Sequence, residues 1–171
     1  MMQFTTHDFA DAGDIPNNPD LPLILYRSAL VEDGTDRASA FERLFTSHGW
    51  GGSWRNGMYP FDHYHSTAHE VLGIASGTVT VQLGGDAGLP VDLVAGDAVL
   101  IPAGVGHRRI ASSSDLIVVG AYPMGQRWDL VRADDVVDAG EVRTRIRAVT
   151  LPAEDPLAGS KGPLAKHWTT G

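Results

Sequence analysis

The stretch "HYHSTAHE", His63 to Glu70, places three of the chain's seven histidines and one glutamate within eight residues. Imidazole nitrogen ligates zinc, iron, manganese, nickel and copper, and the harder of these ions also accept carboxylate oxygen. On a strand, residues i and i+2 share a face, so His63 and His65 can turn toward one ion. An unbroken strand would carry His69 to that face and Glu70 to the other. The intervening "STA" is small and polar and predicts a turn or bulge, so the count restarts there. In the strand that follows, Glu70, Leu72 and Ile74 share one face, and His69, Val71, Gly73 and Ala75 share the other. The first set is the bulkier apolar one and belongs inside a closed sheet. Glu70 is therefore expected to point inward with the metal, and His69 to sit outside or at the rim. A general base, or a hydrogen-bond partner of a ligand, is the lesser reading of His69.

A fourth ligand must come from further along. "GDAVLIPAGVGHRRI" supplies His107, after a proline–glycine turn and at the start of a strand. Trp54, Arg55, Tyr59 and Tyr64 lie just before or within the ligand strand and are candidates to line a cavity. Packing or a surface position is the plainer expectation for the first three. Tyr64 falls between two inward histidines, so strand parity turns it away. No catalytic residue is identified; His69, Arg55 and Tyr59 are the candidates for that role. His7, His48 and His167 carry no case.

The elements that must position these residues are short strands. "HEVLGIAS", "TVTVQL", "LPVDLV", "AVLIPAG", "HRRIA" and "DLIVVGAY" follow one another, separated by Ser76-Gly77, Gly84-Gly85-Asp86, Ala95-Gly96-Asp97 and Ser112 to Asp115. Strands spaced this evenly without helices between them predict an antiparallel sandwich or barrel. "GTDRASAFERLFTSHGW" predicts a helix near residues 36–48. Ala38, Phe41, Leu44 and Phe45 follow helical spacing, Thr35 or Asp36 can cap its start, and Gly49 can end it. "WGGSWRNGMYP" reads as a glycine-rich loop. "DIPNNPDLP" leads into the apolar run "LILYRSAL", an N-terminal arm laid onto the fold. The segment after Tyr122 is mixed, and Trp168 suggests that its end docks.

Length and composition bound the function. With 171 residues, 43% hydrophobic, the chain suits one globular domain. We divide it into an arm and helix (1–50), a core barrel (51–123) and a C-terminal extension (124–171). The net charge of −8 disfavours nucleic acid, which needs a basic face. The one basic cluster, "RTRIR" from Arg143 to Arg147, reads as a solvated or salt-bridged strand face. No cysteine is present, which excludes thiolate sites and disulfides. The acidic N-terminus does not read as a signal peptide, and no run approaches a membrane span. A cytoplasmic protein without nucleic-acid or membrane partners is expected.

Two spacings resemble a known superfamily. Gly57, five residues, His63-x-His65, four residues, Glu70, six residues and Gly77 are similar to the first cupin motif. Gly96, five residues, Pro102-x-Gly104, two residues and His107 are similar to the second, which normally ends in asparagine where this chain has Ala111. "IPNNPDLPL", "LGGDAG", "PAGVGH", "GAYPMGQ" and "GPLAKHW" extend the resemblance to the bacterial YjlB-like cupins.

The resemblance implies an all-β, cupin-type antiparallel barrel (jelly roll) with an N-terminal arm and one or two peripheral helices. It also implies His63, His65, Glu70 and His107 as ligands of a divalent transition metal, Fe, Mn, Ni or Zn, with positions open for water, dioxygen or a chelating substrate. A metal-dependent enzyme acting on a small molecule, with dioxygenase-type chemistry foremost, is the leading expectation. A non-catalytic ligand-binding or sensing cupin, a sugar isomerase or epimerase, and a cupin whose metal only braces the fold are the alternatives. Cupins commonly dimerise through edge strands, so a homodimer with the arm crossing to its partner is expected, with an arm folded back on its own barrel as the alternative.

Overall fold

Turn residues cut the chain into short strands, and the polypeptide pairs them almost wholly with one another. The computed structural model describes residues 2–31 and 36–169. The strands are β1 (Gln3–His7), β2 (Leu23–Arg27), β3 (Trp50–Asn56), β4 (His63–Tyr64), β5 (Glu70–Ser76) and β6 (Thr78–Leu83), followed by β7 (Leu89–Val94), β8 (Ala98–Ile101), β9 (His107–Ser112), β10 (Ile117–Pro123) and β11 (Val131–Arg132). They form a six-stranded sheet, β1-β2-β8-β5-β10-β3, and a five-stranded sheet, β11-β4-β9-β6-β7, each antiparallel. The two face each other as a jelly-roll sandwich; among the described residues their edges are not hydrogen-bonded into a closed barrel.

The period-two pattern sorts side chains as expected. Leu72 and Ile74 of β5 enter the core between the sheets with Val99, Val118, Val81 and Leu93. Val71 and Ala75 emerge on the far side, where helix α1 (Arg37–Ser47) lies across β5, β10 and β3. Phe41 and Phe45 are fully buried there, each contributing roughly 2–3 kcal/mol. Gly73 makes this approach close, since a Cβ on it would stand 2.7 Å from the Phe41 ring. The α1 start is capped by Asp36, whose carboxylate accepts the Ser39 N–H at 3.0 Å; the other capping candidate, Thr35, lies outside the described residues. Gly49 follows the helix at φ +81°.

Three sequence expectations are corrected. "WGGSWRN" is not a loop but β3, an edge strand on β10. Its glycines hid the strand, and they sit where the register shifts opposite Tyr122. "RTRIR" is not a strand but the end of helix α2 (Ala139–Arg147). Val142 and Ile146, one helical turn apart, bury against Tyr64 and Val131, while Arg143 pairs with Asp11 at 2.6 Å. The third correction concerns "LILYR". It is no crossing arm but an interior strand, β2, between β1 and β8 of its own chain.

Both faces of β2 are covered, which explains its unbroken apolar run. Leu23 and Leu25 point between the sheets, and Ile24 and Tyr26 point under α1 and the C-terminal segment. That segment holds the short helix α3 (Leu164–His167) and then Trp168, whose indole N–H donates to the Pro22 carbonyl at 2.8 Å. Trp168 is therefore buried within the chain and needs no second copy to cover it. Among the described residues no helix is long and apolar enough to cross a membrane.

Candidate metal centre

His63 ends up opposite His107 because β4 and β9 pair at those two residues. His65 follows in the bend after β4. The "STA" stretch breaks the strand as expected, and β5 begins at Glu70 in the facing sheet. The three imidazoles thus come from the five-stranded side and the carboxylate from the six-stranded side, at one end of the sandwich. One ring nitrogen from each of His63, His65 and His107 lies within 4.8 Å of the others. Glu70 approaches His65 Nε2 and His107 Nε2 at 3.4 Å each. Two ligand atoms about 2.1 Å from a shared ion stand roughly 3.0–3.4 Å apart at angles of 90–110°, so the spacing of Glu70 to His65 and His107 suits a common ion, while the mutually close cluster is that of the three imidazoles.

The tautomers point the same way. His63 Nδ1 meets the Phe61 carbonyl at 2.9 Å, His107 Nδ1 meets the Val105 carbonyl at 3.1 Å, and His65 Nδ1 meets the Asp129 carbonyl. A carbonyl only accepts, so each Nδ1 carries a proton and each Nε2 is the nitrogen left to face a ligand. Burial pushes His63 down to about 3, with His107 and His65 adding to the effect, so it stays neutral. Burial also opposes charge on His65, but the Glu70 carboxylate and the Asp129 carbonyl outweigh it and hold that ring above its usual value. Glu70 is fully buried; burial would raise it, yet His65 and His107 hold it well below the carboxylate range. The donor set is nitrogen and oxygen, pre-oriented and desolvated, and fits a divalent transition metal.

A cavity of about 520 Å³ opens onto these groups. Its walls include Trp54, Met58, Tyr59, Leu72, Tyr122 and Trp128. Trp54 is held by its indole N–H donating to the Tyr122 hydroxyl at 2.8 Å. Its ring lies over Gly120, where any Cβ would collide with it. Having accepted from Trp54, the Tyr122 hydroxyl has its own proton free for Glu70. Burial and the nearby Glu70 charge both raise Tyr122 and keep it protonated.

The sequence candidates separate cleanly. Trp54 and Tyr59 line the cavity, and Tyr59 stacks on Phe61 and sets its edge to His63. Tyr64 turns away into the α2 contact, as parity required. Arg55 does not reach the site: it faces α1, where Glu42 and Ser39 hold it. His69 is on the face opposite Glu70, as expected, but it is neither outside nor at the rim. It is fully buried against Trp168, with ring centroids 4.7 Å apart. Its Nδ1 accepts the Ala103 N–H at 2.9 Å, so its proton sits on Nε2, the reverse of the other three rings. Burial pushes His69 down to about 3, partly offset by the Thr150 carbonyl. We expect His69→Ala to cost roughly 2–4 kcal/mol through the cavity and the orphaned Ala103 N–H. Bound metal, measured by elemental analysis, should be unchanged; an emptied site would contradict this placement.

Tyr122, Trp128 and Asp129 were not among the candidates. Trp128 and Asp129 sit in a loop with no periodicity to betray them. The Asp129 carboxylate accepts from the Ser66 N–H at 2.6 Å and from its hydroxyl, and the Arg127 carbonyl accepts from Thr67 at 2.6 Å. This loop clamps the bend that carries His65. Asp129→Ala should release the carbonyl behind His65 and weaken metal binding about 10-fold, the usual size for a ligand's supporting partner. A competition titration with a chromogenic chelator measures it.

The family model described as a cupin domain matches residues 56–119. Over 163 residues, 95% of each chain, the sequence is 42% identical to the uncharacterised protein YjlB of Bacillus subtilis (strain 168). The chain belongs to the cupins. Within them, that YjlB protein is a relative of this chain. Among solved structures it is similar to an acireductone dioxygenase from Bacillus anthracis with cadmium in its active centre, at TM-score 0.41 and 14% identity over 76% of this chain and 82% of that one. It is also similar to an 11S globulin from Wrightia tinctoria, at TM-score 0.37 and 17% identity over 47% of this chain. It spans only 22% of that globulin's length.

Proposed function

We propose that this cupin is a metal-dependent enzyme acting on a small molecule, with His63, His65, Glu70 and His107 as the ligands. The observation that carries the reading is the cluster of three imidazoles, each oriented by a backbone carbonyl at Nδ1, beside a buried carboxylate at the floor of a cavity. A purely bracing ion would need no such access. A divalent ion held there would supply Lewis acidity and, if it were iron or manganese, redox capacity toward dioxygen. The chain's own residues do the rest. The carbonyls of Phe61, Val105 and Asp129 orient the rings, Tyr122 offers a proton donor beside Glu70, and Trp54, Met58 and Leu72 exclude water from one wall. Dioxygenase-type chemistry is our leading assignment, because three imidazoles and one carboxylate suit iron or manganese.

Metal analysis of protein purified without a tag, followed by oxygen-uptake screening against small organic acids, tests the proposal. We expect close to one transition-metal ion per chain and metal-dependent oxygen consumption. An intact fold with no bound metal would overturn the reading; metal and ligand binding without turnover would make it a binding or sensing cupin. A cytoplasmic homodimer belongs to the same proposal. With β2 paired inside its own sheet, the outer edge of the N-terminal arm is β1, where Phe4 is 45% exposed, and β1 is one of the edge strands among the described residues. Sedimentation at micromolar concentration decides it, and a monomer would refute it.

A further inference from the structure

Resting on that reading of the site, we propose that the cavity selects a small organic acid and that Arg109 binds its carboxylate. The cavity wall carries two formally charged side chains, Glu70 and Arg109. Glu70 is already engaged by His65 and His107. Arg109 follows His107 by two residues on β9, so both project from the same face of the strand. Its cross-strand neighbour is Val81, a residue of the core between the sheets. Its peptide N–H donates to the Tyr59 carbonyl at 2.9 Å, which pins this stretch to the cavity rim.

The adjacent Arg108 takes the opposite course. It points outward and pairs with Asp62 and Asp86 at 3.2 and 2.9 Å. Among the described residues, Arg109 has no such carboxylate. A half-buried guanidinium in the wall of a cavity keeps its donors for something that enters that cavity. Nothing else in the wall is cationic by nature, and a divalent ion in the floor would add positive charge of its own. Cations are therefore repelled and an anion is favoured, although the chain as a whole carries a net charge of −8.

The rest of the wall describes the body of the ligand. Met58 and Leu72 are apolar and Trp54 is partly buried, while Tyr59 and Trp128, 48% and 50% exposed, stand at the mouth, each stacked on one side by Phe61 and Tyr122 respectively. Such a lining suits a compact aromatic or branched body, with the carboxylate gripped by the guanidinium fork. Arg109 is on this view a specificity-determining residue of the metal site.

The test uses the full chain, both metal-loaded and chelator-treated, and three acids with their neutral amides: benzoate and benzamide, phenylacetate and phenylacetamide, isovalerate and isovaleramide. Binding is followed by titration calorimetry and by quenching of tryptophan fluorescence, since Trp54 and Trp128 line the cavity. We expect at least one acid to bind about 10- to 100-fold tighter than its amide. Arg109→Gln should abolish that preference and Arg109→Lys should restore part of it, with metal content unchanged in both. Equal binding of acid and amide, no acid bound at millimolar concentration, or an acid preference that survives Arg109→Gln would each overturn the inference. The metal reading fails separately: a chain that takes up no metal yet distinguishes acid from amide through Arg109 would refute the former and uphold the latter.

Discussion

Replacing His65 or His107 by alanine should abolish metal uptake at the proposed centre. Each ring presents its Nε2, and each is already held by a backbone carbonyl behind it. Losing an outer partner of a ligand costs about 10–100-fold in affinity, so losing the ligand itself should exceed that range. Glu70→Gln should also weaken binding severely, because an amide brings no charge to offset the ion at a buried position. Elemental analysis of purified variants, with His69→Ala alongside, reads the result directly. Retained metal in His65→Ala, or an empty site in His69→Ala with a full one in Glu70→Gln, would refute the assignment. Acid should act in the same direction. Protons compete with the ion for the imidazoles, and His65, held above its usual value by Glu70, takes the first one. Metal content should therefore fall on acidification from the ordinary histidine range downward, and recover when the pH is raised again.

The second large effect is on the fold. Asp155 is buried to 1% exposure beneath β2. Its carboxylate accepts the Tyr26 hydroxyl at 2.5 Å and the N–H groups of Leu157, Ala158 and Leu164 at 2.8, 3.1 and 3.2 Å. Asp155→Ala leaves a buried hydroxyl and three backbone donors short of an acceptor. With each orphaned donor costing about 1–3 kcal/mol and partial relaxation toward water, we expect a loss of roughly 3–5 kcal/mol in urea unfolding. Asp155→Asn keeps one acceptor oxygen and should lose about half as much. A shift below ~1 kcal/mol in Asp155→Ala would show that the C-terminal segment does not depend on this anchor.

What could be read from the sequence followed periodicity. Six strands from Glu70 onward, the helix at Phe41 and Phe45, and the inward turn of Glu70 against His69 all came from spacing, and all appear in the structure. Where composition contradicted spacing, the reading failed. The glycines of β3 masked a strand that survives because it lies at an edge. The alternating arginines of α2 masked Val142 and Ile146, which carry the helical signal one turn apart. His69 was turned the right way but placed at the surface, because nothing in the linear order announces that Trp168 returns to cover it. Arg109 was within reach of the parity rule, two residues past His107. Trp128 and Asp129 were not, since a loop has no period and only the folded chain brings it to the His65 bend.

The placement of β2 also sets a timetable for synthesis. The strand emerges from the ribosome well before its partners: β8 starts at Ala98, the anchor of Tyr26 lies 129 residues downstream, and the indole that closes over Pro22 lies 146 residues downstream. At about 5–20 residues per second, "LILY" waits roughly 7–30 s for its last contact. During that interval an apolar strand with both faces bare is free to pair with a neighbouring nascent chain. Pairings of such long sequence separation also make for slow refolding. Yield of this protein should therefore depend on how fast it is made and how crowded the ribosomes are: slower expression at lower temperature should favour the soluble form, by a route unrelated to its metal.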